Sequence, residues 1–320
     1  MTDRCNENFD KISDCLHSKE VLSVLNETDV EIVDRVRGMI AGNILGDMLG
    51  LPLEGTKGNI QPYPPLKLNE KCVTEIKKII WSDDTSMLIA LAFSLYESDG
   101  KVNTENERKH YLRWFYEGRY TPDGRSFGYG NTTKEALISE RAGTDRSSNG
   151  NGALMRSSVI VPYYLKKTDR ELDEASANSC AVTHGHPVSI FTNMIYTYIL
   201  KKLIYGYSFA ESLRLAKIRY YDMISDINEI FENPVFYTTT AYCVTTLQTS
   251  LHVNLESNSF EEALVKAVNL GGDADTIGAV TGALAGAKYG FGNLSEGYKS
   301  AALTVIKTYP ALQKFFKGIL

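Results

Sequence analysis

Residues 275–286 read Asp275-Thr276-Ile277-Gly278-Ala279-Val280-Thr281-Gly282-Ala283-Leu284-Ala285-Gly286, with glycines at positions 278, 282 and 286. Positions four apart lie on one side of a helix. A glycine weakens an isolated helix by about 1 kcal/mol, so three at this spacing indicate very close approach to neighbouring helices. The stretch therefore predicts a buried central helix, whose N-terminus is a rigid place for functional side chains.

An acidic segment precedes this helix, and a second one lies far earlier in the chain. They are Gly271-Gly272-Asp273-Ala274-Asp275-Thr276 and Trp81-Ser82-Asp83-Asp84-Thr85. If the two helix starts meet, four carboxylates share one pocket, where each raises the pKa of the others. Two divalent cations would cancel these charges, and oxygen-only ligands suit Mg²⁺ or Mn²⁺. The alternative is that each segment is only an acidic helix cap, with Ser82 as an N-cap.

Most of the chain shows helical spacing of apolar residues, and few segments alternate with period two. We expect an all-α fold, a compact single-domain orthogonal helical bundle, over residues 33–320. Residues 1–32 are polar and mixed in charge, which predicts an N-terminal extension with one amphipathic helix, Ser18–Leu25. The helices predicted in the domain are Val33–Leu49, Ser82–Glu97, Glu105–Glu117, Thr132–Arg141, Val188–Tyr205, Ser208–Arg219, Thr238–Leu251, Ser259–Asn269, Asp275–Tyr289 and Ser295–Tyr309.

The composition of the 320 residues is that of a soluble globular protein, with 43% hydrophobic and 23% charged residues. A net charge of -5 argues against a surface that coats nucleic acid. The five cysteines are scattered, which disfavours a disulfide framework or a zinc site and favours a reducing, cytoplasmic location. No apolar run approaches the length of a membrane span, and the first residues lack the core of a signal peptide. We expect a monomer without membrane or nucleic-acid partners.

Three loop segments carry residues suited to holding a ligand. Two are rich in glycine, Phe127–Thr132 and Ser148–Ala153, and each runs into a predicted helix. Backbone N–H groups at such helix starts bind phosphate, although either loop alone also fits a simple turn. The third is Thr183-His184-Gly185-His186-Pro187, where no third histidine or cysteine is near in sequence. A ligand contact is therefore favoured over a metal site.

The first long helix ends in a further motif, Gly42-Asn43-Ile44-Leu45-Gly46-Asp47-Met48-Leu49-Gly50-Leu51-Pro52-Leu53-Glu54. Its glycines again allow tight helix packing. Asp47 is expected to bond either to backbone or to a nearby basic group. Glu54 lies just past the predicted end of the helix, in a flexible loop, Glu54–Pro65, that is rich in glycine and proline.

These segments, in this order, resemble the ADP-ribosylglycohydrolase family over roughly residues 35–310. The shared motifs are Gly-x3-Gly-Asp-x2-Gly-x3-Glu, Ser/Thr-Asp-Asp-Thr, Gly-Asn-Gly-Ala, Thr-His-x-x-Pro and Gly-Gly-Asp-x-Asp-Thr. The resemblance implies an all-helical domain with two divalent cations, Mg²⁺ or Mn²⁺. It also implies a hydrolase that cleaves the glycosidic bond between ADP-ribose and an acceptor, which is an ADP-ribosylated protein or a small molecule.

The resemblance also assigns roles to residues of this chain. Glu54 and Asp84 are implied to be catalytic, with Glu54 as general acid or base in a cleavage that passes through an oxocarbenium-like transition state. In the serine-directed branch, a flexible glutamate at the position of Glu54 gates the metals. The implied metal ligands are Ser82, Asp83, Asp84, Asp273, Asp275 and Thr276. The implied contacts to ADP-ribose are Gly128, Gly130, Asn131, Ser148, Gly150, Asn151, Gly152 and His184.

The chain departs from the family pattern at two positions. Many bacterial members read Phe-Asp-x-Gly-Asn-Thr in the first loop, and here Gly128 replaces the aspartate. Because this carboxylate is absent, the catalytic role is expected to fall to Glu54, and an O-linked acceptor is favoured over an arginine N-linked one. Asn149 is not aromatic, so a stacking partner that some relatives offer the ligand is expected to be missing.

Two other functions fit the same motifs. One is an inactive ADP-ribose-binding or crystallin-like structural protein of the same fold, and the other is a hydrolase of a free ADP-ribosyl metabolite. Because Asp83, Asp84, Asp273 and Asp275 are all present, the enzyme is favoured over the inactive protein.

Overall fold

The protein is all-α, as the sequence predicts. The computed structural model describes residues 27–57, 79–234 and 237–316. Within these ranges there is no β-sheet, and only isolated bridges join loops. The α-helices are α1 Glu27–Gly50, α2 Asp83–Glu97, α3 Thr104–Glu117, α4 Asn131–Ser139, α5 Asp169–Cys180, α6 Pro187–Ile204, α7 Phe209–Tyr220, α8 Cys243–Leu255, α9 Phe260–Asn269, α10 Ala274–Tyr289, α11 Glu296–Thr308 and α12 Pro310–Phe316. Short 3₁₀ helices span Leu51–Leu53, Arg146–Ser148, Leu154–Tyr164 and Ser225–Phe231.

The centre of the fold is an antiparallel pair, α1 against α10, packed backbone to backbone. A Cβ atom built on Gly42 would lie 2.0 Å from the carbonyl oxygen of Gly282, and one on Gly46 would lie 1.9 Å from that of Gly278. All residues of α10 from Ala274 to Ala287 are buried. The buried central helix that the glycine spacing predicts is therefore present, and the glycines of α1 form its partner surface.

Several helices differ from the sequence-based bounds. The first helix begins at Glu27, ahead of the predicted Val33. Residues 29–32 are exposed or only partly buried, so this part of the helix lacks the apolar spacing on which the prediction relied. Helix α5 was not predicted, since its sequence is mostly polar. A capping box between Thr168 and Glu171 starts it, and Leu172, Ala175 and other side chains on one face are buried. Helix α12 and the 3₁₀ helices were also not predicted.

Some predictions fall outside the described residues. These are the helix Ser18–Leu25, the part of the Glu54–Pro65 loop beyond Lys57, and three of the five cysteines, Cys5, Cys15 and Cys72. The other two, Cys180 and Cys243, are buried free thiols. In the ranges that the structure covers, no helix combines the length and the apolar character needed to cross a membrane.

Candidate functional site

The site begins with Asp47, on the face of α1 that looks toward the start of α2. Its buried carboxylate accepts hydrogen bonds from the backbone N–H of Ser82, at 3.0 and 3.1 Å, and from that of Thr85, at 2.9 Å. These N–H groups lie at the N-terminal end of α2, where backbone N–H groups have no hydrogen-bond partner within the helix. Of the two partners expected for Asp47, the structure selects the backbone. Asp47 therefore fixes the position of the second acidic segment against α1.

The two acidic helix starts meet. Ser82 caps α2, because its hydroxyl accepts a hydrogen bond from the backbone N–H of Asp84. The carboxylate of Asp84 in turn accepts hydrogen bonds from the hydroxyl of Ser82, at 3.1 Å, and from the hydroxyl of Thr276 at the start of α10, at 3.4 Å. Carboxylate oxygens of Asp47, Asp84 and Asp275 lie within 4.8 Å of one another. The convergence that the sequence left conditional is present.

The buried acids repel one another. Burial raises the pKa of Asp84 well above its ordinary range, and the charge of Asp275 adds to the increase. Burial also raises the pKa of Asp275, with Asp273 as the next cause, and the pKa of Asp83, with Asp47 next. Oδ1 of Asp84 is buried without a hydrogen-bond partner among the described residues. This oxygen-rich, electron-pair-donating set fits hard divalent cations.

Above the acids lies a cavity of about 500 Å³, in the size range of small-molecule sites. Of the implied metal ligands, Asp83, Asp273, Asp275 and Thr276 line it. Ser82 and Asp84 do not, and each is only 1% exposed. Both lie behind the residues that line the cavity. The catalytic role that the resemblance implies for Asp84 stays a prediction.

The predicted ligand-binding loops form the other walls. Lining residues from them are Gly128, Gly130, Asn131, Gly150, Asn151, Gly152 and His184. The side-chain amide of Asn151 donates a hydrogen bond to the carboxylate of Asp273, which joins the second loop to the acidic cluster. Ser148 is not on the wall, because the 3₁₀ turn Arg146–Ser148 places its hydroxyl against Gly143. Its neighbours Ser147 and Asn149 line the cavity instead.

Glu54 stands at the mouth of the cavity and is held there by backbone hydrogen bonds. The N–H of Gly55 donates to the carbonyl of Gly272, at 2.8 Å, and the N–H of Gly272 donates to the carbonyl of Thr56, at 3.0 Å. The predicted flexible loop is thus tied, as far as Lys57, to the Gly-Gly that precedes α10. Burial raises the pKa of Glu54, and Asp273 and Asp47 add to the increase.

His184 is buried in the cavity wall, and burial lowers its pKa to about 3, with the charge of Arg156 as a further cause. The imidazole is therefore neutral near pH 7.

The sequence profile described as ADP-ribosylglycohydrolase matches residues 28–314. This chain belongs to the ADP-ribosylglycohydrolase family. It is 29% identical to the ADP-ribosylarginine hydrolase Tri1 of Serratia proteamaculans over 281 residues, which cover 83% of this chain and 74% of the relative. It is 28% identical to the ADP-ribosyl-(dinitrogen reductase) glycohydrolase of Rhodospirillum rubrum, over 85% of this chain and 92% of that protein.

A solved structure supports the same assignment. The chain is similar to one described as an ADP-ribosylglycohydrolase-related protein complex, with a TM-score of 0.68 and 27% identity. The likeness covers 90% of this chain and 99% of that one. The all-α single-domain architecture is therefore that of the ADP-ribosylglycohydrolase family.

The structure shows why a glycine suits position 128 in this chain. Its φ is +87°, a conformation that side chains rarely adopt. A Cβ atom built on it would lie 2.3 Å from Oδ1 of Asp83. The first loop therefore passes directly over Asp83, and a side chain at position 128 would strain the backbone and displace the Asp83 carboxylate.

Sequence reasoning missed part of the wall, most notably Tyr242, Ala241 and Arg146. Gly150 pairs with Tyr242 in an isolated bridge, and the N–H of Asn151 donates to the carbonyl of Ala241 at 2.9 Å. The sequence analysis placed residues 238–242 inside the predicted helix Thr238–Leu251. In the structure α8 begins only at Cys243, so these residues are free to pair with the loop. Tyr242 places an aromatic ring on the cavity beside the non-aromatic Asn149.

Proposed function

We propose that this chain is a divalent-metal-dependent hydrolase that cleaves the glycosidic bond between ADP-ribose and an acceptor, with release of ADP-ribose. The family, together with relatives named as an ADP-ribosylarginine hydrolase and an ADP-ribosyl-(dinitrogen reductase) glycohydrolase, supports the reaction class. The observation that carries the proposal is the convergence of two acidic helix starts and two glycine-rich loops on one cavity. One wall offers oxygen ligands, and the other offers backbone N–H groups.

The residues divide into two binding functions. Ser82, Asp83, Asp84, Asp273, Asp275 and Thr276 would hold the cations. A bound divalent pair supplies charge neutralisation and Lewis-acid activation of water and sugar hydroxyls. Gly130 precedes α4 without a side-chain cap, so the first N–H groups of this helix are free to bind phosphate oxygens. The ligand would lie with its diphosphate toward the loops and its distal ribose toward the acids.

Glu54 would act on the bond that breaks. It is a carboxylate at the mouth whose pKa is raised, which suits a group that holds a proton for the leaving acceptor and then takes one from water. The backbone hydrogen bonds around Gly55 and Gly272 hold it near the cavity. Because Gly128 gives the first loop no carboxylate at this position, we assign the acid–base role to Glu54 alone.

Two linkages compete for the acceptor. The loss of the loop carboxylate favours the O-linked acceptor that the sequence predicts. An arginine N-linked acceptor is the second candidate, because relatives at 29% identity are named ADP-ribosylarginine hydrolases. The guanidinium of arginine would also suit the acidic side of the mouth, where Glu54 and Asp273 lie.

The test is product release from defined substrates. Serine-linked and arginine-linked ADP-ribosyl peptides, together with a free ADP-ribosyl metabolite, are incubated with the protein and Mg²⁺ or Mn²⁺, and free ADP-ribose is measured by chromatography. Faster release from the serine-linked peptide supports the O-linked acceptor, and exclusive release from the arginine-linked peptide supports the second candidate. Release from none of them, with tight ADP-ribose binding, would overturn the proposed activity in favour of a binding protein.

A further inference from the structure

Behind the Gly-Asn-Gly loop lies a buried cation, Arg156, that contacts two walls of the cavity from inside the protein. It is 1% exposed. Nη1 donates a hydrogen bond to the carbonyl of Gly152 at 3.0 Å, and Nη2 donates to Oγ1 of Thr183 at 2.8 Å. The guanidinium also stacks over the ring of Tyr111, at 4.4 Å from the ring centre. Arg156 thus joins the glycine-rich loop to the segment that carries His184.

Thr183 passes this contact on to the imidazole. Its Oγ1 lies 2.8 Å from Nδ1 of His184. Among the described residues, the partners of this hydroxyl are Arg156 and His184. Arginine is a donor only, whereas a hydroxyl has one proton to donate and lone pairs to accept with. Because Arg156 already donates to Oγ1, the buried hydroxyl proton is left with Nδ1 of His184 as its acceptor.

We infer that Arg156 and Thr183 act as positioning residues that fix His184 as the neutral tautomer with its proton on Nε2. When Nδ1 accepts a hydrogen bond, the proton of a neutral imidazole resides on the other nitrogen. Nε2 lies toward the glycine-rich loop, at 3.4 Å and 3.5 Å from Cβ atoms built on Gly150 and Gly152. No described residue is hydrogen-bonded to it. We call Arg156 and Thr183 the relay. Through it, His184 presents one N–H donor, on Nε2, to the cavity.

The donor has a defined use, and here the inference rests on the proposed function. An N–H on Nε2 binds an acceptor oxygen, and it repels any group that can only donate. In ADP-ribose the oxygens of the diphosphate are acceptors only, so they suit a donor whose direction is fixed. The opposite tautomer would present a lone pair and would repel the same oxygens. Arg156 and Thr183 would therefore change the affinity for the ligand through His184, without contacting the ligand themselves.

The decisive measurement is the tautomer in the ligand-free, Mg²⁺-loaded protein. The ¹⁵N chemical shifts of an imidazole distinguish a protonated nitrogen from an unprotonated one. The signals of His184 are identified by their absence from His184→Gln. We expect Nε2 to be protonated and Nδ1 to be unprotonated across pH 6–8. A proton on Nδ1 in the wild-type protein would overturn the inference, and this outcome needs no variant of the relay to fold.

A matched pair of variants tests the relay itself. Thr183→Val keeps the size of the side chain but removes the hydroxyl, and Thr183→Ser keeps the hydroxyl. We expect Thr183→Val to lose the single Nε2–H tautomer and to bind ADP-ribose about tenfold more weakly, equivalent to about 1.4 kcal/mol, while Mg²⁺ binding is unchanged. Thr183→Ser should retain both properties. Wild-type tautomer and affinity in Thr183→Val would contradict the relay.

The two proposals fail separately. If the wild-type protein does not bind ADP-ribose, the proposed function fails, and an Nε2–H tautomer in the ligand-free protein would still support the relay. If ADP-ribose binds normally and His184 carries its proton on Nδ1, the relay fails and the proposed function stands.

Discussion

Asp47 helps to build the site without lining the cavity. It is fully buried, and its carboxylate holds two N–H groups of the first turn of α2. The hydrogen bonds partly offset the increase in its pKa that burial causes. Asp83 and Asp84 are thereby placed next to the N-terminus of α10, where Asp273 and Asp275 lie. The carboxylates that face the cavity have fixed positions before any ion binds.

The first prediction at this scale concerns Asp275. Asp275→Asn keeps the shape of the side chain but removes a charge that offsets the cations. We expect turnover to fall by about two orders of magnitude or more, equivalent to about 3 kcal/mol in the barrier, with the helical circular dichroism unchanged. Asp99→Asn, at an exposed position away from the cavity, is the matched control. Near wild-type rates in Asp275→Asn would show that this acid is only a helix cap.

The second prediction concerns Glu54. Glu54→Gln removes the proton-transfer group but leaves the loops and the acidic cluster in place. We expect turnover to be abolished and ADP-ribose affinity to stay within about tenfold, or about 1.4 kcal/mol, as measured by calorimetric titration and single-turnover assays. Glu135→Gln, on the exposed face of α4, should behave as wild type. Normal turnover in Glu54→Gln would remove this residue from the mechanism.

At the scale of the element, the pair α1 and α10 positions the acids. The glycines at 42, 46 and 50 of α1 meet the glycines and Ala274 of α10, so backbone packs on backbone along both helices. Any side chain in this contact would push the helices apart. Such a shift would move Asp47 relative to Asp275, and the geometry of the cluster would change with it.

A glycine pair on two helices tests this packing. A Cβ atom on Gly282 would lie 2.1 Å from the carbonyl oxygen of Gly42, whereas nothing lies within 4 Å of one on Gly297. We expect Gly282→Ala to lower the free energy of unfolding by about 3 kcal/mol through overpacking. Gly297→Ala should change it by less than about 1 kcal/mol, in the stabilising direction. Urea unfolding measures both, and equal stabilities of the two variants would contradict the close packing.

The sequence predicted long, periodic elements better than irregular ones. The glycine spacing of α10 and the N-cap at Ser82 both appear in the structure. The pairing of Gly150 with Tyr242 could not be predicted, because it joins loops far apart in sequence through backbone groups that every residue has. Ser148 was misplaced for a related reason. A 3₁₀ turn of three residues is too short to show a repeating spacing of apolar residues, so the sequence does not indicate which of its side chains faces the cavity.

At the scale of the whole molecule, a buried acid that does not line the cavity makes the stability depend on pH. Glu107 on α3 is buried, and its Oε2 accepts a hydrogen bond from the hydroxyl of Ser179 at 2.8 Å. Burial raises its pKa to about 7 from an ordinary 4.5. The folded protein therefore binds a proton on Glu107 that the unfolded chain releases above pH 4.5, and stability falls as the pH rises from about 4.5 to about 7.

This linkage predicts a difference between two proteins. Glu107→Gln has no proton to lose, so its stability relative to wild type should increase with pH across the same window, by on the order of 3 kcal/mol. The acidic cluster titrates in both proteins and cancels in the difference. Urea unfolding at pH 4.5, 6 and 8, in constant Mg²⁺, measures it. A difference that does not change with pH would contradict the raised pKa of Glu107.

The all-α architecture and the family follow from features of the sequence that span nearly the whole chain. The cytoplasmic location, the monomeric state and the acceptor linkage stay predictions, because they depend on partners and surroundings. The domain boundary at residue 33 also stays a prediction. The roles of the metal ligands stay predictions as well. The structure brings these residues together where the two helices start.

The central claim is that the acidic cluster holds divalent cations on which hydrolysis depends. The most direct measurement is the release of ADP-ribose by protein treated with EDTA, then dialysed and titrated with Mg²⁺ or Mn²⁺, with bound metal determined by elemental analysis. We predict no turnover in the metal-free protein, recovery on titration, and up to two ions per chain, one for each pair of the four acids Asp83, Asp84, Asp273 and Asp275. Full activity in protein shown to be free of metal would contradict the account.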